Sequence, residues 1–188
     1  MIYIATLLWQ EINGAVTGTA TTITNHRHKT NDDALQDSNY MIPVPPSGYN
    51  YGYGKCFRLY ASALSEILSN VKLYGGGVPS AGSGTIGWTG IILYIGDQTS
   101  DTYVQATGTV GETGTELTAY NGQVSSKTDL LATYTSGNKK AITMAGGVLS
   151  KTGTGAITQN IWVQLRVDST AGHGLLAPYT LTGVYDLA

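Results

Sequence analysis

The sequence predicts an all-β fold: a β-sandwich, jelly-roll or immunoglobulin-like, of about ten short antiparallel strands. Three observations carry this. Short runs that alternate apolar and polar residues recur from one end of the chain to the other, which is the period of a half-buried strand. Gly, Pro and Asn punctuate these runs at short intervals, and no long stretch keeps a convincing helical period. The composition agrees, with 25 Gly, 13 Tyr, one Phe, much Thr and Ser, and only 12% charged residues, about half the usual share.

The elements follow in order. Ile2, Ile4 and Leu7 to Trp9 supply the apolar positions of a first strand. Asn13-Gly14 is a strong turn pair, and Val16 to Thr24 alternates as a Thr-rich second strand. Residues 25–39 are polar, charged and without period, so they are read as a solvated loop. Tyr40 to Val44 is a short strand stopped by Pro43, Pro45 and Pro46, because Pro cannot donate to a ladder. Tyr49, Tyr51 and Tyr53 then lead into the clearest strand of the first half. There Phe57, Leu59 and Ala61 share one face and Arg58 and Tyr60 the other. Residues 25–54 as a whole are expected to form an extended loop or arm.

Ala63 to Tyr74 carries two signals. Leu64, Ile67, Leu68 and Val71 have helical spacing, with Ser65 and Glu66 able to open a helix. Val71 and Leu73 before Gly75-Gly76-Gly77 suit a strand ending in a turn. A turn or short helical turn followed by a strand is favoured. Trp88 to Ile95 is apolar enough for a strand buried on both faces. Asp101 to Val110, Thr115 to Tyr120 and Ile142 to Leu149 are weaker strands between Gly-rich turns. Ile161 to Val167 is the strongest, placing Ile161, Val163, Leu165 and Val167 inward and Trp162, Gln164 and Arg166 on the other side. Tyr179 to Tyr185 closes the chain. No linker and no repeat of 20–50 residues divides it, so residues 1–188 are expected to form one domain.

Size and charge bound the function. A chain of 188 residues buries roughly 70% of its unfolded surface, enough for a core without metal or disulfide. The net charge of −2 gives no basic face for nucleic acid. The dense patch His26-Arg27-His28-Lys29 is followed at once by Asp32 and Asp33. Cys56 is the single cysteine, expected to act as a small buried hydrophobe. Met1 to Trp9 lacks a basic leader and a cleavage site, and no run nears the roughly eighteen apolar residues of a membrane span. Synthesis in the cytoplasm without secretion or membrane insertion is the expectation.

The familiar catalytic patterns fail specific tests. Nucleotide-cradling glycine motifs are missing, and Gly75, Gly76, Gly77, Gly82 and Gly84 lack the Lys and the helix that phosphate needs. No Gly-x-Ser-x-Gly presents a nucleophile. His26-x-His28 has metal-ligand types, but its further ligands would have to come from His173, Asp32, Asp33 or Asp37. No catalytic residue, cofactor or metal is assigned, and a non-enzymatic role is expected.

The aromatic residues offer the candidate site instead. Tyr49, Tyr51 and Tyr53 alternate and would line one face of an extended segment. They either pack on their own sandwich or form a contact surface, since Tyr gives large amphipathic area at low entropic cost. Trp162 and Arg166, on the polar side of the strongest strand, are either covered by that arm or exposed at an interface. Tyr49, Tyr51, Tyr53, Trp162 and Arg166 are the candidate interface.

Two stretches carry a family likeness. Residues 53–76 hold an aromatic-rich strand with central Arg58, followed by Ser69-Asn70-Val71-Lys72-Leu73-Tyr74. Residues 161–186 hold Gln164, Leu165 and Val167, the small-residue turn Ser169-Thr170-Ala171-Gly172, and a final strand ending in Tyr185-Asp186. These patterns resemble small β-sandwich virion proteins of tailed bacteriophages. The resemblance covers about a quarter of the chain, and Cys56 stands where a bulky aromatic would be more familiar. It implies a structural role in the virion, as a capsid decoration or cement protein or a tail-associated one. Its partners would be copies of itself and major capsid or tail proteins. Low net charge and extended arms suit such crowding. A carbohydrate- or receptor-binding sandwich, as in a tail adhesin, and a self-polymerising filament subunit are the alternatives.

Overall fold

The structure, a computed structural model, describes residues 5–15, 17–35, 38–96, 101–119 and 124–188. Ile2, Ile4, Val16 and Tyr120, assigned to strands above, lie outside the described residues. Fourteen strands fall within them. The first seven are β1 (Ala5–Asn13), β2 (Thr19–Ile23), β3 (Tyr49–Tyr51), β4 (Lys55–Leu64), β5 (Leu68–Gly75), β6 (Ile91–Gly96) and β7 (Gly108–Thr109). Then come β8 (Thr113–Gly114), β9 (Lys127–Asp129), β10 (Lys140–Ala141), β11 (Ser150–Lys151), β12 (Gly155–Ala156), β13 (Ile161–Asp168) and β14 (Leu181–Leu187). The longest described helix is the single turn α1 (Leu130–Thr133), whose first N–H groups are capped by the Asp129 carboxylate. The fold is all-β and sandwich-like.

The larger sheet runs β2-β1-β4-β13-β6-β9, every pair antiparallel. β3 pairs with Arg166–Asp168 of β13 while β4 pairs with its Ile161–Val163, so β3 and β4 occupy one lane in succession. The smaller sheet is centred on β5, with β10 and β11 along one side and β14 along the other. The register puts Phe57 opposite Ile161, and Ile95, Leu93 and Ile91 opposite Val163, Leu165 and Val167. Because side chains alternate across a strand, these all face inward, onto Leu68, Val71 and Leu73 of β5. Each such side chain contributes about 1.5–3 kcal/mol on burial. Where β14 passes beneath β1 the sheets nearly touch: a Cβ at Gly183 would lie 2.8 Å from the Trp9 ring.

Several expected strands take other forms. Residues 41–48 make no ladder, since Tyr40 turns the chain at φ 56° and the prolines follow. Trp88 precedes β6 and donates its indole N–H to the Ala177 carbonyl at 2.9 Å. Leu117–Ala119 is a 3-10 turn, and so is Ala145–Gly147, where Gly146 and Gly147 both have positive φ. The final strand begins at Leu181, leaving Tyr179 in the preceding segment. In the ambiguous stretch, β4 continues to Leu64, residues 65–67 turn, and β5 starts at Leu68.

The outer face of the large sheet is not polar and solvated along its whole length. Ile12, Cys56 and Trp162 on that face join Tyr53, Tyr103, Ala106, Leu117 and Val124 in a second apolar cluster. The 101–119 segment forms this extra layer. Trp162 is 1% exposed and stacks on Tyr103, ring centroids 5.9 Å apart and 12° from parallel. Gln164, expected on the polar side, is fully buried. Its Oε1 accepts from Leu117 N–H, and its Nε2 donates to the Gly52 and Thr115 carbonyls. It thereby satisfies three backbone groups, two of them in the covering layer.

Nor is the 25–35 segment a solvated loop. Lys29 and Lys55 are 2% and 1% exposed, and each meets a carboxylate: Lys29 with Asp33 at 2.6 Å, Lys55 with Glu11 at 2.9 Å. Asp32 accepts from Asn13 Nδ2 and Gly14 N–H. The charges that the composition placed in solvent are used to pin this segment to β1 and β4.

Candidate functional site

Beyond the covered half, the outer face opens around β3, β13, β6 and β9. Register brings Tyr51, Arg166 and Ile92 abreast, with Tyr49 two pairs further along opposite Asp168, and Tyr94 beside Gln164 and Asp129. All lie on one face, because paired residues point the same way. The side chains then interleave. The Arg166 guanidinium lies 4.2 Å from the Tyr49 ring centroid and 5.7 Å from that of Tyr94. Lys127 Nζ lies 4.3 Å from Tyr94 and 5.2 Å from Tyr51. The result is a ladder of ring, cation, ring, cation, ring, each contact worth about 0.5–1 kcal/mol at a surface.

The two cations differ in their remaining partners. Lys127 also meets the Glu116 carboxylate. Arg166 Nε is buried without a hydrogen-bond partner, and no carboxylate among the described residues forms an ion pair with it. Partial burial raises the Tyr51 hydroxyl above its ordinary pKa, so it stays a neutral donor. Tyr49 is 55% exposed at the rim.

Of the five candidate interface residues, the structure brings Tyr49, Tyr51 and Arg166 together on this open face. Tyr53 and Trp162 leave the set, because both are buried inside the chain's own second layer. Sequence alternation missed Tyr94 and Lys127. Tyr94 sits in a run apolar enough to read as doubly buried, and Lys127 lies on a strand of three residues. Cys56 is free and buried, and burial pushes its thiol well above the ordinary value, suppressing the reactive thiolate.

A second feature lies between the sheets. The inner wall of β13 and β4, the segments 22–29 and 39–44, and residues 172–181 line a cleft of about 950 Å³ that is half open to solvent. Most of its lining is aliphatic, with His26, His28 and Tyr179 at one place on the wall. Both imidazoles reach the Tyr179 hydroxyl through Nε2, that of His28 at 2.7 Å. The His26 ring also packs on Phe57, centroids 4.8 Å apart. Burial lowers His26 to about 4 and takes His28 well below its ordinary value, while it raises Tyr179. All three are therefore neutral near pH 7.

The proposed metal ligands go elsewhere. Asp33 holds Lys29 and Asp32 holds Asn13, while Asp37 lies outside the described residues. Among the described residues no group of three or more His, Cys, Asp and Glu side chains is placed to hold a metal ion.

No family model, curated protein or solved structure matches this chain.

Proposed function

We propose that the chain is a non-enzymatic structural protein of a virus particle, acting through protein–protein contacts made by the open sheet face around Arg166. Its partners in this reading are further copies of itself and capsid or tail proteins, as for a decoration or cement protein. The observation that supports it is the ladder Tyr49–Arg166–Tyr94–Lys127–Tyr51 on a rigid sheet. Tyr and Arg dominate the energetics of protein interfaces, and aromatic rings on strands lose little entropy when a partner docks. The particle-level part of the reading rests on the phage-like patterns in residues 53–76 and 161–186, the second of which contains Arg166.

A sugar platform would have to stack on these same rings. Here cations already sit over Tyr49, Tyr51 and Tyr94. Negative-stain microscopy and a sizing column on the purified protein, with a mass-spectrometric inventory of virus particles, test the proposal. Symmetric oligomers and a fixed copy number in particles are expected. A strict monomer that gives one strong glycan-array hit would replace it with the carbohydrate-binding alternative.

A further inference from the structure

A cleft of about 950 Å³, half open to solvent and floored by core residues, has room for an occupant. Its size falls within the range of sites for small organic ligands. Phe57, Leu73, Ile91, Val163 and Leu165 give it an apolar wall. The polar place on that wall is incomplete. A tyrosine hydroxyl has one proton, so in the pair of contacts with His26 and His28 it donates to one Nε2 and accepts from the other. His28 Nδ1 is left buried with no hydrogen-bond partner. A buried polar nitrogen in that state is costly, and His28 belongs to the cleft lining.

We infer that this cavity is a binding site for a small, neutral, mainly apolar molecule carrying one hydroxyl or carbonyl group, received at His28 and Tyr179. Neutrality follows from the surroundings. The imidazoles carry no charge near pH 7, so a carboxylate there would be buried without a counter-charge. Of the cations in the lining, Lys29 is already committed to Asp33, and Arg27 is solvent-exposed. The inference is independent of the contact face, which lies on the opposite side of the large sheet.

The test is a fluorescence titration of the full chain at pH 7.5 with N-phenyl-1-naphthylamine. Competition by 1-dodecanol and by dodecanoate follows. Saturable binding at one site per chain is expected, with dodecanol displacing the probe at least tenfold more effectively than dodecanoate. Ile42→Trp, which fills the cavity from its roof, should lower probe affinity at least tenfold while the melting temperature holds or rises. Leu176→Trp serves the same purpose should Ile42→Trp not fold. His28→Leu should weaken dodecanol about tenfold and leave the probe within twofold. The inference is overturned by absent or unsaturable binding, by equal competition from dodecanoate, or by unchanged binding in a folded cavity-filling variant. Probe binding that weakens as protein concentration rises would also overturn it, because a neighbouring copy would then fill the cavity.

Discussion

Trp162 and Arg166 sit four residues apart on the same side of β13, and their surroundings are opposite. Trp162 is enclosed, stacked on Tyr103 and 1% exposed. Arg166 is half-buried between two rings, with a nitrogen left unpaired. Their substitutions should therefore separate fold from contact. Trp162→Ala should cost about 3–5 kcal/mol, and Leu165→Ala on the inner face about 2–5 kcal/mol, since each opens a cavity in packed surroundings. Arg166→Ala should cost about 1–2 kcal/mol in the isolated chain, through loss of its two ring contacts. Urea melts of the three variants check this; a Trp162→Ala midpoint close to wild type would mean the second layer does not pack as described. His26 makes a further residue-scale prediction. Its folded pKa is lowered from 6.5 to about 4 by burial, so the unfolded chain binds the proton first as pH falls. Stability should be level above about pH 7 and decline from pH 6.5 down through pH 4, by roughly 3 kcal/mol for this group alone. His28→Leu with His26→Leu should flatten that decline in pH-dependent thermal melts.

At the scale of elements, the hairpin of β7 and β8 is laid tightly on the junction between β3 and β4. A Cβ at Gly114 would stand 2.3 Å from the Gly52 carbonyl oxygen and 2.9 Å from Tyr53 N, both backbone atoms that cannot swing away. Gly114→Ala should cost about 1–3 kcal/mol, whereas Gly76→Ala, with open space around it, should stay within about 0.5 kcal/mol. Equal chemical-denaturation midpoints would show that the hairpin is not docked. The same junction marks what alternation can and cannot reveal. The inner row Ile161, Val163, Leu165 and Val167 was legible, because a strand with one buried face writes its period into the sequence. The burial of Trp162 and Gln164 was not, because it is produced by residues 101–119, which carry no local mark of where they pack. The charges of residues 26–33 misled for a related reason. Lys29 and Asp33 are i and i+4 in sequence, but the carboxylate that receives Lys55 belongs to β1. Tyr49, Tyr51 and Arg166 were legible as a group only in part, since the ring and the cation that complete the ladder come from β6 and β9.

Across the whole molecule, the large sheet divides its work between two faces. The inner face carries the core and the cavity, and the outer face is half sealed by its own loops and half left open. The open half is backed by the second sheet, and rings and cations already held against one another there lose little freedom when a partner docks. That leaves the open half as the surface on which assembly is proposed to depend. Sedimentation velocity of the wild-type chain and of Arg166→Glu, over a hundredfold range of concentration, tests this most directly. The account predicts oligomers that grow with concentration for wild type, and a folded monomer for Arg166→Glu. A wild-type chain that stays monomeric throughout, or an Arg166→Glu variant that assembles as wild type does, would contradict it.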